Sequence, residues 1–124
     1  MNTGVKVTPQ KGRDRVVRMA MMAVRAGFVL AVVMGVGMMV HVWQKGDVLL
    51  FHMLSGVLVL GGVLTAGVRA ILLERPVTLL ALGVLAGVSG AVLALSGAVP
   101  GLVHLVLMLA AVGLAEAGVR KVFG

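Results

Sequence analysis

The sequence predicts an all-α integral membrane protein, a four-helix bundle with up-down-up-down topology. Of its 124 residues, 60% are hydrophobic and only 12% are charged, too few charges to cover the surface of a soluble domain. Four apolar stretches, each long enough to cross a bilayer as a helix, are separated by short turns. Short connections make neighbouring spans antiparallel, so we expect a single membrane domain over residues 1–124.

The first part of the chain is a basic tail, residues 1–18, followed by a long apolar run. The first span is predicted over residues 26–43, and Arg25 can extend its guanidinium to the nearby membrane surface. Trp43 is an aromatic residue of the kind that anchors a helix at the membrane interface, and a polar turn follows it. These features predict a helix that leaves the tail and crosses the membrane once.

The second span contains an uncharged stretch from Val48 to Val68. The third span follows Pro76, a residue suited to the start of a helix. It carries Gly83 and Gly87 at the spacing that permits close contact between membrane helices. The second, third and fourth spans are predicted over residues 48–71, 77–96 and 102–119.

Ten of the eleven Lys and Arg residues fall on one side of the predicted bundle. Lys45 falls on the other side, where Asp47 neutralises it. The positive-inside rule therefore predicts a multi-pass cell-membrane protein with both termini in the cytoplasm. Glu116, inside the fourth span, is expected to pair with Arg69 or Arg120 in a structural role.

Composition also excludes several classes of function. The net charge of +7 is explained by topology, and aromatic residues make up only 3% of the chain with no tyrosine. Nucleic acid is therefore not an expected partner, and the lipid bilayer is. Because the sequence contains no cysteine, disulfides, thiolate metal sites and cysteine nucleophiles are excluded.

The three histidines, His41, His52 and His104, all fall in one layer near the outer ends of their spans. His52 and His104 are embedded in apolar residues, where an ionisable side chain indicates a functional site. We expect both to ligate one haem iron or one metal ion. Gly56, one helical turn below His52, would leave room for a flat ligand. The alternative for each histidine, and above all for His41, is a hydrogen bond to a neighbouring helix.

The run from Val77 to Ala110, which includes Pro100 and His104, and the segment FHMLSG around His52 resemble the heme A synthase family. Members of that family contain two four-helix halves, and half-size four-helix relatives exist. In each half, histidines at the outer starts of the second and fourth helices can ligate one haem. The resemblance implies that His52 and His104 are such a pair.

Three departures limit what the resemblance implies. Leu49 stands where the family often has a carboxylate, Met53 stands where an arginine usually follows the histidine, and the extracellular cysteine pair is absent. The resemblance therefore supports haem binding more than oxidation of a haem methyl group. Whether the chain is an enzyme stays open.

We therefore predict a haem-b-binding membrane protein that carries electrons or accommodates haem near the outer face, where Lys45 could meet a haem propionate. One alternative is a non-catalytic accessory subunit that packs against a larger membrane complex through its glycine faces. Another is a small copper or metal carrier that uses Met34, Met38 and His41. A homodimer that rebuilds an eight-helix arrangement is a further candidate assembly.

Overall fold

The structure, a computed structural model, describes residues 15–97 and 100–123, without the side chain of Lys45. It contains four α-helices, and the described residues form no strand. All four helices are long and apolar enough to cross a membrane. The predicted all-α four-helix membrane fold is therefore confirmed. The helices are α1 (Arg15–Met39), α2 (Lys45–Leu72), α3 (Thr78–Leu95) and α4 (Gly101–Phe123).

Helix α1 begins earlier than the predicted span, at Arg15. The basic residues at its start do not delay the helix, because Val17, Met21 and Val24 between them are fully buried in the hydrophobic core. Burial of this apolar face stabilises the first two turns as helix. The predicted basic tail lies largely outside the described residues, which start at residue 15.

Helix α1 also ends earlier than predicted, at Met39. His41 adopts a left-handed conformation with φ of 60°. The N–H groups of His41 and Val42 donate to the carbonyls of Met38 and Gly37, at 3.2 and 2.9 Å. This pair of bonds is a Schellman motif, which satisfies the last carbonyls and stops the helix. The predicted placement of His41 inside the span is therefore wrong.

The other two connections end helices in the same way. Glu74, with φ of 54°, follows α2, and Gly97, with φ of 70°, follows α3. The N–H of Glu74 donates to Ile71 and that of Gly97 donates to Ala94. Three left-handed residues thus reverse the chain within a few residues and produce antiparallel neighbours.

Helices α1 and α2 form the first hairpin, and glycines set their close approach. A Cβ atom at Gly27 would lie 2.9 Å from the carbonyl oxygen of Ser55, and one at Gly62 would lie 2.7 Å from that of Ala20. Neither position has room for a side chain. The two backbones therefore pack at a distance that larger residues would prevent.

Helices α3 and α4 form the second hairpin on the same principle. A Cβ at Gly83 would lie 3.0 Å from the carbonyl oxygen of Ala111, and one at Gly118 would lie 2.9 Å from Cγ of Leu80. At Gly87, a Cβ would come within 2.5 Å of Leu60 on α2, so this glycine lies between the hairpins. The prediction that Gly83 and Gly87 face other helices is confirmed.

The core lies between the two hairpins, and much of the remaining surface is apolar. Many large hydrophobic side chains point outward, as lipid-facing residues of a membrane bundle do. This surface identifies the chain as a multi-pass membrane protein.

In the core, the largest fully buried side chains are Val17, Val24, Val59, Val63, Leu80 and Phe123.

Candidate functional site

His52 on α2 and His104 on α4 face each other across the bundle. Their ring centroids lie 6.1 Å apart and their planes are inclined by 68°. Both side chains are half-buried. We call the end of the bundle that holds them, where α2 and α4 begin, the histidine end, and the opposite end the terminus end. The structure thus brings together the two residues that the sequence predicted as ligands.

Each imidazole is held by a main-chain carbonyl of the preceding helix. Nδ1 of His52 donates to the carbonyl oxygen of Ala31 on α1, at 2.9 Å. Nδ1 of His104 donates to the carbonyl oxygen of Gly90 on α3, at 3.1 Å. The two hairpins therefore build their halves of the site in the same way.

These hydrogen bonds determine the tautomer of both neutral rings. A carbonyl oxygen can only accept, so the hydrogen of each ring is on Nδ1. Nε2 of His52 and Nε2 of His104 then keep their lone pairs, which are the donor atoms that a metal uses. A hydrogen bond from the other ring nitrogen to a carbonyl is also the usual partner of a metal-ligating histidine.

The hydrogen bonds of His52 and His104 are the alternative that the sequence left open, a bond from each histidine to a neighbouring helix. Their partners are carbonyls of neighbouring helices, which the apolar side chains around His52 and His104 in the sequence do not reveal. No buried side-chain nitrogen or oxygen among the described residues lacks a partner. The histidines are therefore oriented before any ligand binds.

Two glycines that line the site, Gly35 and Gly90, were not predicted as site residues. A Cβ at Gly35 on α1 would lie 3.1 Å from Cε1 of His52, and one at Gly90 would lie 3.8 Å from Nδ1 of His104. Gly35 stands one turn beyond Ala31, so this face of α1 presents small residues to the His52 ring. The spacing of four residues between Ala31 and Gly35 is present in the sequence and could have indicated this small-residue face.

The rings of His52 and His104 meet edge to face, at a separation close to that of two imidazoles bound to one metal ion. Imidazoles that ligate one ion through bonds of about 2.0 Å have ring centroids roughly 6 Å apart when they lie on opposite sides of it. The separation of 6.1 Å between His52 and His104 is of that size. At Gly56, a Cβ would meet no atom within 4 Å, so there is open space one turn below His52.

The remaining predicted residues are placed as follows. Lys45 begins α2 at the histidine end, and its side chain lies outside the described part of the structure. His41 is exposed in the turn after α1, which removes it from the helical face that carries Met34 and Met38. Within residues 15–97 and 100–123, no group of three His, Asp or Glu residues is arranged to hold a metal ion.

An ion pair that the sequence did not predict joins α1 to α4. Arg25 donates from Nε to Oε2 of Glu116 at 2.7 Å and from its NH2 nitrogen to Oε1 at 2.9 Å. Glu116 was expected to pair with Arg69 or Arg120, but its hydrogen-bonding partner is Arg25; the charge of Arg120 lies close enough to add an electrostatic attraction. The relative rotation of α1 and α4, which sequence periodicity does not determine, brings these two side chains together.

The fold and its site define a class: a multi-pass, four-helix membrane protein with two facing histidines near one end. Comparison with protein-family models, curated proteins and solved structures found no match.

Proposed function

We propose that this protein binds haem b through His52 and His104 and serves in electron transfer or haem handling, like one half of heme A synthase. The observation that carries the proposal is the facing pair of imidazoles, 6.1 Å apart, each oriented by a carbonyl through Nδ1. These hydrogen bonds leave the lone pair of Nε2 available on both rings, which supports their proposed role as ligands of one iron.

The chain's own residues would hold and orient the cofactor. His52 and His104 would supply nitrogen ligands to the iron, and the carbonyls of Ala31 and Gly90 keep their rings from rotating. Bound haem supplies one-electron redox chemistry, which the protein lacks on its own. Gly56 leaves open space one turn below His52, and Lys45, at the start of α2, is the cation that would meet a propionate at the surface.

We further propose that the histidine end faces away from the cytoplasm of a cell membrane, with both chain termini inside. The division of basic residues supports this orientation, since ten of eleven belong to the terminus end or the tail. A haem at the histidine end would then lie near the outer face. Electron partners would reach it from that side or from within the membrane.

Haem titration of the purified protein in mild detergent tests the proposal. We expect saturation at one haem per chain, a Soret band and an α band that sharpens on reduction. Protein that stays colourless when haem is supplied would contradict haem binding and favour the accessory subunit. One copper per chain by metal analysis, with no haem, would favour the metal carrier.

The oligomeric state of the haem protein can be measured on the same sample. A homodimer of two four-helix units would rebuild an eight-helix arrangement with two haem sites. Mass measurement in detergent, corrected for bound detergent, distinguishes such a homodimer from a monomer or from a larger membrane complex.

A further inference from the structure

The hydrogen bonds of His52 and His104 do not by themselves determine the distance between the two rings. His52 is bonded to Ala31 within the first hairpin, and His104 is bonded to Gly90 within the second. Each hairpin is packed tightly through its own glycines. The separation of the rings therefore depends on how the two hairpins lie against each other.

The hairpins meet along two edges of different character, and α2 also touches α4 between these edges. Along α2 and α3 the contact is apolar, with Leu60 packed over Gly87. Along α1 and α4 the helices touch over a shorter stretch, and the Arg25–Glu116 pair lies there. An apolar contact on one edge permits rotation of the hairpins, whereas a two-bond ion pair on the other edge opposes it.

The pair lies within the membrane-spanning helices and away from the histidines. Arg25 is ten residues beyond the start of α1, a rise of about 15 Å. Glu116 is twelve residues from His104, about 18 Å along α4. The side chain of Arg25 is 61% exposed and that of Glu116 is 24% exposed, so the pair lies at the surface of the bundle. Because a charged side chain that faces lipid is costly without a partner, separating the pair would carry a free-energy cost that opposes movement of α1 away from α4.

We propose that Arg25 and Glu116 form a clasp between the hairpins, which keeps His52 facing His104 and whose release opens the histidine end toward lipid. The opening would admit a flat, apolar ligand sideways between the hairpins. This use of the clasp rests on the proposed haem site, but the clasp itself is testable without haem.

Distance measurement between spin labels tests the clasp. The chain contains no cysteine, so Val42→Cys and Leu102→Cys place one label on each hairpin at the histidine end, where both residues are exposed. Pulsed electron paramagnetic resonance should give a narrow distance distribution for the otherwise unchanged protein. Arg25→Gln and Glu116→Gln should each lengthen and broaden it.

Two controls separate the clasp from a general effect of charge. Glu74→Gln removes an exposed carboxylate at the terminus end and should leave the distance unchanged. The exchanged variant, Arg25→Glu with Glu116→Arg, should return the distribution to a narrow one. If both single variants keep the original distance, the clasp does not exist. If a single variant does not fold, the exchanged variant decides: a narrow distance supports the clasp, and a long distance or loss of folding overturns it.

Haem titration of the same variants links the clasp to the site. If the unchanged protein binds haem, Arg25→Gln and Glu116→Gln should weaken binding about three- to tenfold and speed haem uptake. If the unchanged protein binds no haem, the proposed function fails, and the label distances still test the clasp.

Discussion

The ring of His52 lies 6.1 Å from the ring of His104, and the two come from different hairpins of the bundle. Each ring is oriented by a carbonyl of the preceding helix in its own hairpin, Ala31 or Gly90. Two polar side chains in apolar helices are thus held with their rings edge to face. This arrangement is the basis of the proposed ligand site.

Gly35 should control the position of the His52 ring. A Cβ there would lie 3.1 Å from Cε1 of His52, and the branches of Val would displace the ring from Ala31. We expect Gly35→Val to weaken haem binding about tenfold or more, as loss of an outer hydrogen bond does at metal sites. Gly61→Val is the matched control, because a Cβ at Gly61 meets nothing within 4 Å. Equal haem affinity of the two variants would contradict this role of Gly35.

Gly87 should be intolerant of a large side chain. It is buried where α3 meets Leu60 of α2 and Ala111 of α4, so Gly87→Leu would overpack the contact at a cost of about 1–3 kcal/mol. We expect a lower melting temperature in detergent, measured by circular dichroism. Gly113→Leu, at an exposed position with open space, should not lower it. An unchanged melting temperature for Gly87→Leu would show that this contact does not limit stability.

His41 should be a structural residue whose replacement by glycine is favourable. A side chain in the left-handed region costs about 1 kcal/mol or more, and glycine avoids that cost. His41→Gly should therefore raise the melting temperature and leave haem binding unchanged. Met38→Gly, inside α1, should lower it, because glycine weakens a helix interior by about 1 kcal/mol. A loss of haem from His41→Gly would assign His41 to the site.

The proposed orientation can be tested with a membrane-impermeant thiol reagent, since the chain has no cysteine of its own. Gln44→Cys, at the exposed start of α2, should be labelled in intact cells. Glu74→Cys, in the exposed turn at the terminus end, should be labelled only after lysis. The reverse pattern would invert the topology.

The four helices and the shared layer of His52 and His104 followed from sequence, because apolar length and helix direction are determined by one-dimensional pattern. The exact end of α1 did not follow. His41 is followed by apolar Val42 and Trp43, so hydropathy continues past the left-handed turn that stops the helix. Hydropathy reports burial in the membrane and not the backbone conformation of a single residue.

The contacts of the site were less predictable than its residues. Whether two side chains meet depends on the rotation of each helix about its axis, which small residues such as Gly27 and Gly83 determine through close packing. The carbonyl partners of His52 and His104, and the pairing of Arg25 with Glu116, depend on that rotation. The position of a main-chain carbonyl also cannot be predicted from the pattern of side chains in the sequence.

The most direct test of the central claim is the optical spectrum of three single histidine variants after haem addition. His52→Ala and His104→Ala should each lose the low-spin spectrum, because each removes one of the two nitrogen ligands proposed for the iron. His41→Ala should retain it, since His41 lies in the turn after α1. Retention of the original low-spin spectrum by both His52→Ala and His104→Ala would contradict the assignment of these two histidines as ligands of one iron.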